Sequence, residues 1–202
     1  PMSTFRLPAL PAEMHWNLPP VDFKVLADDR LTIVAGDMSD LFNSPDGNFK
    51  ADSAPVALFS PPDASFLLSA KVKVDFNSDF DAGTIQVRAG QDVWGKLCFE
   101  FSPQREPMIV SVVTHGLSDD CNSVIIDGYE VYLRAAVTPN TVAFHYSTDG
   151  ATWHFVRYFT LGSAPQLQVG LSAQAPRGKA CQVQFSQIRY RAGALSNNRS
   201  GE

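Results

Sequence analysis

Cysteine is scarce in this chain. Cys98, Cys121 and Cys181 are the only three in 202 residues, an odd count without a repeated spacing. That excludes a disulfide framework and a zinc-ligand pattern. No apolar run reaches the roughly 18 residues that a membrane-spanning helix needs. There is no long helical period, no internal repeat and no linker between domains. Basic residues are outnumbered, with 16 Lys and Arg against 21 Asp and Glu and a net charge of −5. No basic cluster offsets that balance, so a nucleic-acid partner is not expected. Catalytic signatures are missing too. The chain has no serine-nucleophile motif, no phosphate loop and no metal triad, and no cofactor or metal is expected. The start, Pro1-Met2-Ser3-Thr4-Phe5, lacks a basic segment followed by an apolar core. Pro1 ahead of Met2 reads as a tag remnant. With Met2 as the start, a cytoplasmic location without a membrane partner is the expectation.

What is present is strand-forming sequence. Hydrophobic residues make up 45% and charged residues 18%, a globular balance. Residues 1–13 read as an extended arm. Pro8, Pro11, Pro19 and Pro20 exclude a helix around Trp16, which is expected to plug the core or cover a sheet edge. Phe23–Leu26 and Leu31–Ala35 flank Asp28-Asp29 and predict a hairpin. Residues 36–53 read as a long polar loop, whose carboxylates lack the alternating spacing of a calcium loop. Residues 115–128 read as a second polar loop. Alternation then predicts strands across residues 56–59, 65–76, 83–89, 93–101, 108–115, 130–136, 142–147, 154–159, 167–174 and 181–190. The whole is an all-β fold, a two-sheet sandwich over residues 14–191, with residues 192–202 expected as a flexible tail.

The strand Val93–Phe101 is the most informative. Leu97, Phe99 and Phe101 form one face, as a packed core requires. Trp94, Lys96, Cys98 and Glu100 form the other, and this mixture resembles a ligand surface more than solvent decoration. A hairpin that pairs Arg88 with Trp94 keeps both apolar faces together and sets Gln86 opposite Lys96. Arg88 is then expected over the indole. Lys96 and Glu100 are four residues apart, roughly 13 Å, and cannot pair directly. On the next strand Met108, Val110 and Val112 are expected in the core, which puts Ser111 near Cys98 and His115 near Trp94. Hydrophobic matching sends Val131, Leu133, Val142, Phe144 and Tyr146 inward. Glu130, Tyr132, Arg134 and His145 then face outward, with Tyr132 opposite His145.

Several motifs occur together in order: Trp16-Asn17, Asp81-Ala82-Gly83, Val93-Trp94-Gly95-Lys96 leading to Phe99-Glu100, Ser111-Val112-Val113-Thr114, Ser118-Asp119, Tyr132-Leu133-Arg134, and Ser147-Thr148-Asp149-Gly150-Ala151-Thr152-Trp153. As a set they resemble a family long labelled a domain of unknown function, which includes the fungal regulation-of-enolase protein. The resemblance covers most of residues 14–190. It implies a concanavalin A-like jelly roll whose concave sheet often binds sugars. Members usually carry an aromatic after Ser-Asp, where this chain has Asp120.

Three functional readings result. In the first, a sugar, polyol or small carboxylate binds on the concave face to Gln86, Arg88, Trp94, Lys96, Ser111, His115, Glu130 and Arg134. In the second, the same face is an isomerase, cyclase or hydrolase. Either Glu100 and Glu130 would face each other across strands, or His115 or His145 with Tyr132 would supply acid and base while Arg88, Lys96 or Arg134 stabilised developing negative charge; Glu100, His145 and Tyr132 are the candidate catalytic residues. The Glu-x-Asp-x-x-Glu run of glucanases with this fold is absent. In the third, the chain regulates a protein partner, as the family name suggests.

Overall fold

The computed structural model describes residues 3–163 and 166–202, and these contain strands and no helix. In chain order the strands are β1 (Thr4–Phe5), β2 (Met14–Trp16), β3 (Asp22–Ala27), β4 (Arg30–Gly36), β5 (Leu41–Asn43), β6 (Lys50–Asp52), β7 (Val56–Phe59), β8 (Phe66–Val74) and β9 (Ala82–Gly90). They continue as β10 (Val93–Phe101), β11 (Pro107–His115), β12 (Leu117–Ile125), β13 (Glu130–Val137), β14 (Val142–Ser147), β15 (His154–Phe159), β16 (Gln168–Gln174) and β17 (Ala180–Ala192). No helix among the described residues is long and apolar enough to cross a membrane.

Two large antiparallel sheets form the sandwich. The first runs β1-β2-β7-β16-β9-β10-β11-β12 and the second β15-β14-β13-β8-β17-β4-β3. Alternation puts Ile85, Val87, Leu97, Phe99, Ile109 and Val113 of the first sheet against Val72, Leu133, Phe144, Val183 and Phe185 of the second, in one core. The sheets approach closely where Gly83 stands on β9. A Cβ there would lie 2.6 Å from methyl carbons of both Val72 and Val183.

The two long open sides are sealed differently. On one, Trp16 is 2% exposed and packs 5.5 Å from Phe5 and 5.1 Å from Phe23, ring centre to centre, closing β2 against β3 as expected of it. The other is polar. Arg157 of β15 pairs with the Asp119 carboxylate of β12 at 3.0 Å and donates to Ser111 Oγ at 3.4 Å. His115 Nε2 donates to the Thr160 carbonyl at 3.0 Å.

Both expected polar loops contain strands. Within residues 36–53, β5 pairs with β6 and forms a short hairpin above the first sheet. Within residues 115–128, β12 completes the edge of that sheet. Mostly exposed on both faces, β12 has no apolar period to reveal it. Residues 192–202, expected as a loose tail, lie against the outer face of the second sheet. Asn198 and Gly201 offer their carbonyls to His145 Nε2 at 2.6 Å and to an Arg134 Nη at 2.8 Å.

Replacing Gly83 by alanine overfills a contact between two buried valines. The Gly83→Ala variant is expected to lose roughly 1–3 kcal/mol in urea unfolding, whereas Gly47→Ala, where a Cβ meets nothing within 4 Å, is expected to lose only the cost of its positive φ.

Candidate functional site

The register of β9 through β12 builds the floor. Lys96 is opposite Gln86 on β9 and Val112 on β11, and Val112 is opposite Asp120 on β12. The next row is Thr84, Cys98, Val110 and Asn122. The third is Ala82, Glu100, Met108 and Ile125, with Gln174 of β16 beside Ala82. These rows share the face of the first sheet that points away from the core, and the segment carrying β5 and β6 arches over part of it.

That cover is pinned by polar contacts at one end. The Asn43 backbone N–H donates to Ser118 Oγ at 3.0 Å, and its side-chain amide donates to Asp92 and to the Gly116 carbonyl. Lys50 pairs with Asp92 at 2.7 Å, and Arg88 with Asp52 at 3.6 Å. Leu41 and Ala54 pack beneath the cover on Trp94, Cys98, Met108, Val110 and Val112, a second apolar cluster. Between the cover and the sheet a cavity of about 880 Å³ remains, with Phe42 and residues 49–53 of the cover in its lining. Lys96, Glu100, Asp120, Asn122 and Gln174 line its floor, with Asp40 above them.

Lys96 is the centre of this cavity. It is 2% exposed, its Nζ donates to Gln174 Oε1 at 2.9 Å, and the Asp40 carboxylate is 3.8 Å away. Burying an ammonium is costly without such partners. Gln174 is held in turn by its donation to the Phe80 carbonyl at 3.1 Å. An ammonium has three donors, and Gln174 is the one hydrogen-bond acceptor recorded for this one. Beside it the buried Gln86 Oε1 has no hydrogen-bond partner.

Burial pushes the Glu100 carboxyl up to about 8; Lys96 opposes this, and Asp120 and Asp40 add to it. Burial likewise raises Asp120, with Lys96 opposing. Cys98 lies between Lys96 and Glu100 on the strand, and burial raises its thiol so far that it stays protonated and unreactive.

The walls hold an unusual backbone. Among the described residues four non-glycine residues have positive φ, and two of them line this cavity: Met38 at 53° and Phe80 at 69°. A bulky residue in the left-handed region costs roughly 1–2 kcal/mol that glycine would avoid.

The structure brings together Gln86, Lys96 and Glu100, and it separates the rest of the expected set. Trp94 does pair with Arg88, and Lys96 with Gln86, as alternation predicted. Yet Trp94 is 1% exposed beneath the cover and presents no open ring. The cation near the indole is Lys96, 6.0 Å from the ring centre, because Arg88 turns to Asp52 instead.

Strand β11 is one residue out of the expected register. Thr114, not His115, is opposite Trp94, and Val110, not Ser111, is opposite Cys98. A one-residue slip reverses every side chain. Ser111 and His115 therefore face the second sheet and seal the polar side, while Met108, Val110 and Val112, expected in the core, face the groove.

Glu130, Tyr132, Arg134 and His145 belong to the second sheet, on its outer face, with the whole core between them and the groove. Glu130 cannot face Glu100 there; it pairs with Lys71 at 2.7 Å. Arg134, not Tyr132, is opposite His145. Burial holds His145 down to about 4, against the raising effect of its bond to the Asn198 carbonyl. Arg134 stacks 4.3 Å from the Trp153 ring centre, and Tyr132 packs edge-on to the same indole. These four residues fasten strands and the C-terminal segment.

Asp40, Asn122 and Gln174 were not read as site residues. Gln174 is legible as the polar residue ending the alternation of Leu167–Gln174. Asp40 and Asn122 carry no signal until β12 and the cover are placed.

The family model described as "Protein of unknown function (DUF1349)" matches residues 16–192. No curated protein matches the chain. A functionally unknown protein from Saccharomyces cerevisiae is similar in structure, with a TM-score of 0.82 and 23% identity over 95% of this chain and 100% of that one. The GH43 protein BlXynB from Bacillus licheniformis gives 0.72 and 16% over 89% of this chain, which spans 37% of that protein. The alginate lyase from Klebsiella pneumoniae gives 0.54 and 11% over 85% and 84%. At such identities the likeness shows the fold, a concanavalin-like β-sandwich shared with structures of glycoside hydrolases and a lyase.

Glu100 gives the groove a pH signature. Its folded value of about 8 lies above its ordinary 4.5, so between these values the folded state holds more protons than the unfolded one. Stability contributed at this position falls as pH rises through that window. In the Glu100→Gln variant, melting temperatures measured from pH 5 to 9 are expected to lose that decline relative to the parent chain. An unchanged difference between the two across the range contradicts the assignment.

Proposed function

The chain belongs to the family described as protein of unknown function (DUF1349), and we propose that it binds a neutral polyhydroxylated ligand, a sugar or polyol, in the groove over Lys96. The observation that carries this reading is the buried ammonium with donors to spare. Lys96 faces an 880 Å³ cavity with one recorded hydrogen-bond acceptor, next to a buried amide oxygen on Gln86 that has none. A hydroxyl both accepts and donates, so vicinal hydroxyls can accept hydrogen bonds from Lys96 and donate them to Asp120 or Asn122, which line the same cavity.

A small carboxylate suits the site less well. The Asp40 carboxylate is already paired with the buried Lys96, and a further anion would compete with it for the ammonium. Aromatic walls from Phe42 and Phe80 complement the apolar faces of a sugar ring. The likeness to glycoside hydrolase structures is consistent with such a ligand and supplies none of its identity.

Glu100 favours a second reading, acid–base chemistry on the same floor. A carboxyl kept protonated at neutral pH can donate a proton to a bound oxygen. Its expected partners His145 and Tyr132 are on the other sheet, so this reading rests on Glu100 with Asp40 or Asp120 as base. Binding requires less and is preferred.

Calorimetric titration separates these ligand classes. Methyl glycosides of glucose, galactose and xylose, together with mannitol, are expected to include a binder; citrate and malate are not. In Lys96→Met that binder is expected to lose roughly 10- to 100-fold in affinity, as removing a charged hydrogen-bond donor does. Binding of the acids alone, or a Lys96→Met variant that folds and binds the sugar as well as the parent chain, overturns the proposal.

A further inference from the structure

The floor of the groove is polar, and the rest of its lining sets apolar side chains among polar ones such as Lys50, Gln104 and Arg177. Met38, Phe42, Phe49, Phe80, Pro103 and Pro176 line the same cavity as Lys96 and Glu100. Two of them are conspicuously unsupported by the fold. Met38 is 68% exposed and Phe49, just before β6, is 55% exposed. A polar residue at either place would be better solvated.

Backbone conformation provides an independent observation. Met38 and Phe80 both occupy the left-handed region, at 53° and 69°. Asn, Asp or Gly would adopt it more readily. Met38 gains little packing in return, since most of its side chain is in solvent. Strained, bulky residues of this kind gather where a site needs their side chains. The cavity is also large. Its 880 Å³ lies in the upper part of the range that holds drug-sized ligands, leaving room beyond a single sugar ring.

We infer that the ligand is a glycoside with an apolar aglycone, its sugar on the Lys96 floor and its aryl or alkyl group against Met38 and Phe49. This rests on the sugar-binding reading above and adds the second half of the ligand. The mouth is then a specificity element: it discriminates a glycoside from the free sugar, while the floor recognises the hydroxyls. Met38 and Phe49 touch the aglycone only, so changing them leaves the floor intact. Glycine at position 38 also relieves the left-handed backbone, and the variant is not expected to unfold at a lower temperature.

Matched pairs of methyl and phenyl glycosides of glucose, galactose and xylose test this by calorimetry. The proteins are the full chain, Met38→Gly, Phe49→Ser and the double variant. In the parent chain the phenyl member of the bound pair is expected to bind about tenfold more tightly than the methyl member, the effect of burying one ring face. In the double variant the two members are expected to bind alike, with methyl-glycoside affinity unchanged from the parent. Equal binding of methyl and phenyl members by the parent overturns the inference and leaves the sugar reading standing. A phenyl preference that survives in the double variant overturns it as well. So does a parallel loss of methyl-glycoside affinity, which would make the mouth residues structural. Binding of neither member of any pair overturns the sugar reading itself, and the inference with it.

Discussion

Strict alternation along β10 is the constraint on which the rest depends. A strand sends successive side chains to opposite faces. Leu97 and Phe99 therefore commit one face to the inter-sheet core, and Trp94, Lys96, Cys98 and Glu100 are forced together onto the other. Because β10 lies inside the first sheet, between β9 and β11, both faces are crowded by neighbours. The polar residues of β10 are thus held away from bulk water. Desolvation keeps the Glu100 carboxyl protonated to about pH 8 and makes the Gln174 and Asp40 contacts of Lys96 necessary rather than ornamental.

The segment over this face decides how it is used. Had residues 36–55 stayed away from the sheet, Trp94 and Arg88 would line an open concave surface. Instead Leu41 and Ala54 bury the indole, and Asp52 engages Arg88. The open part of the face shrinks to the end bearing Lys96 and Glu100. Covering one half leaves the spare hydrogen-bonding capacity of the ammonium facing the other. The same segment contributes Met38 and Phe49 to the rim, so one stretch of chain both closes the indole end and furnishes apolar side chains at the mouth.

The outer face of the second sheet shows polar residues in a different employment. Arg134 and His145 sit on neighbouring strands, are largely buried, and bind backbone carbonyls of the C-terminal segment. His145 Nδ1 has no partner and burial keeps the ring neutral. Tyr132, Arg134 and Trp153 form a small stack around the Asp149-Gly150 turn, where Gly150 has φ 76° and a Cβ on it would stand 2.8 Å from the Tyr132 ring. Residue types that suggest catalysis in a list serve here as fasteners.

Much of the fold was legible in alternation alone. The two faces of β10, the pairing of Lys96 with Gln86 and of Trp94 with Arg88, and the inward set Val131, Leu133, Val142 and Phe144 are local consequences of period two and short turns. The run Met108-Ile109-Val110-Ser111-Val112-Val113 was not, because it is apolar on both faces and either register buries hydrophobic residues; the hydrogen bonds to β10 choose between them. Nor does period two say which sheet a strand joins. Outward on β13 and outward on β10 read alike in sequence, but they are opposite surfaces of the sandwich. The sequence by itself therefore determined most of the strands, the core faces of β10, β13 and β14, and the polar character of one face. Only the tertiary structure decided that Glu130, Tyr132, Arg134 and His145 lie across the core from Lys96, and that Asp40, Asp120 and Gln174 meet it, because sheet membership and loop closure are set by long-range packing that no local pattern encodes.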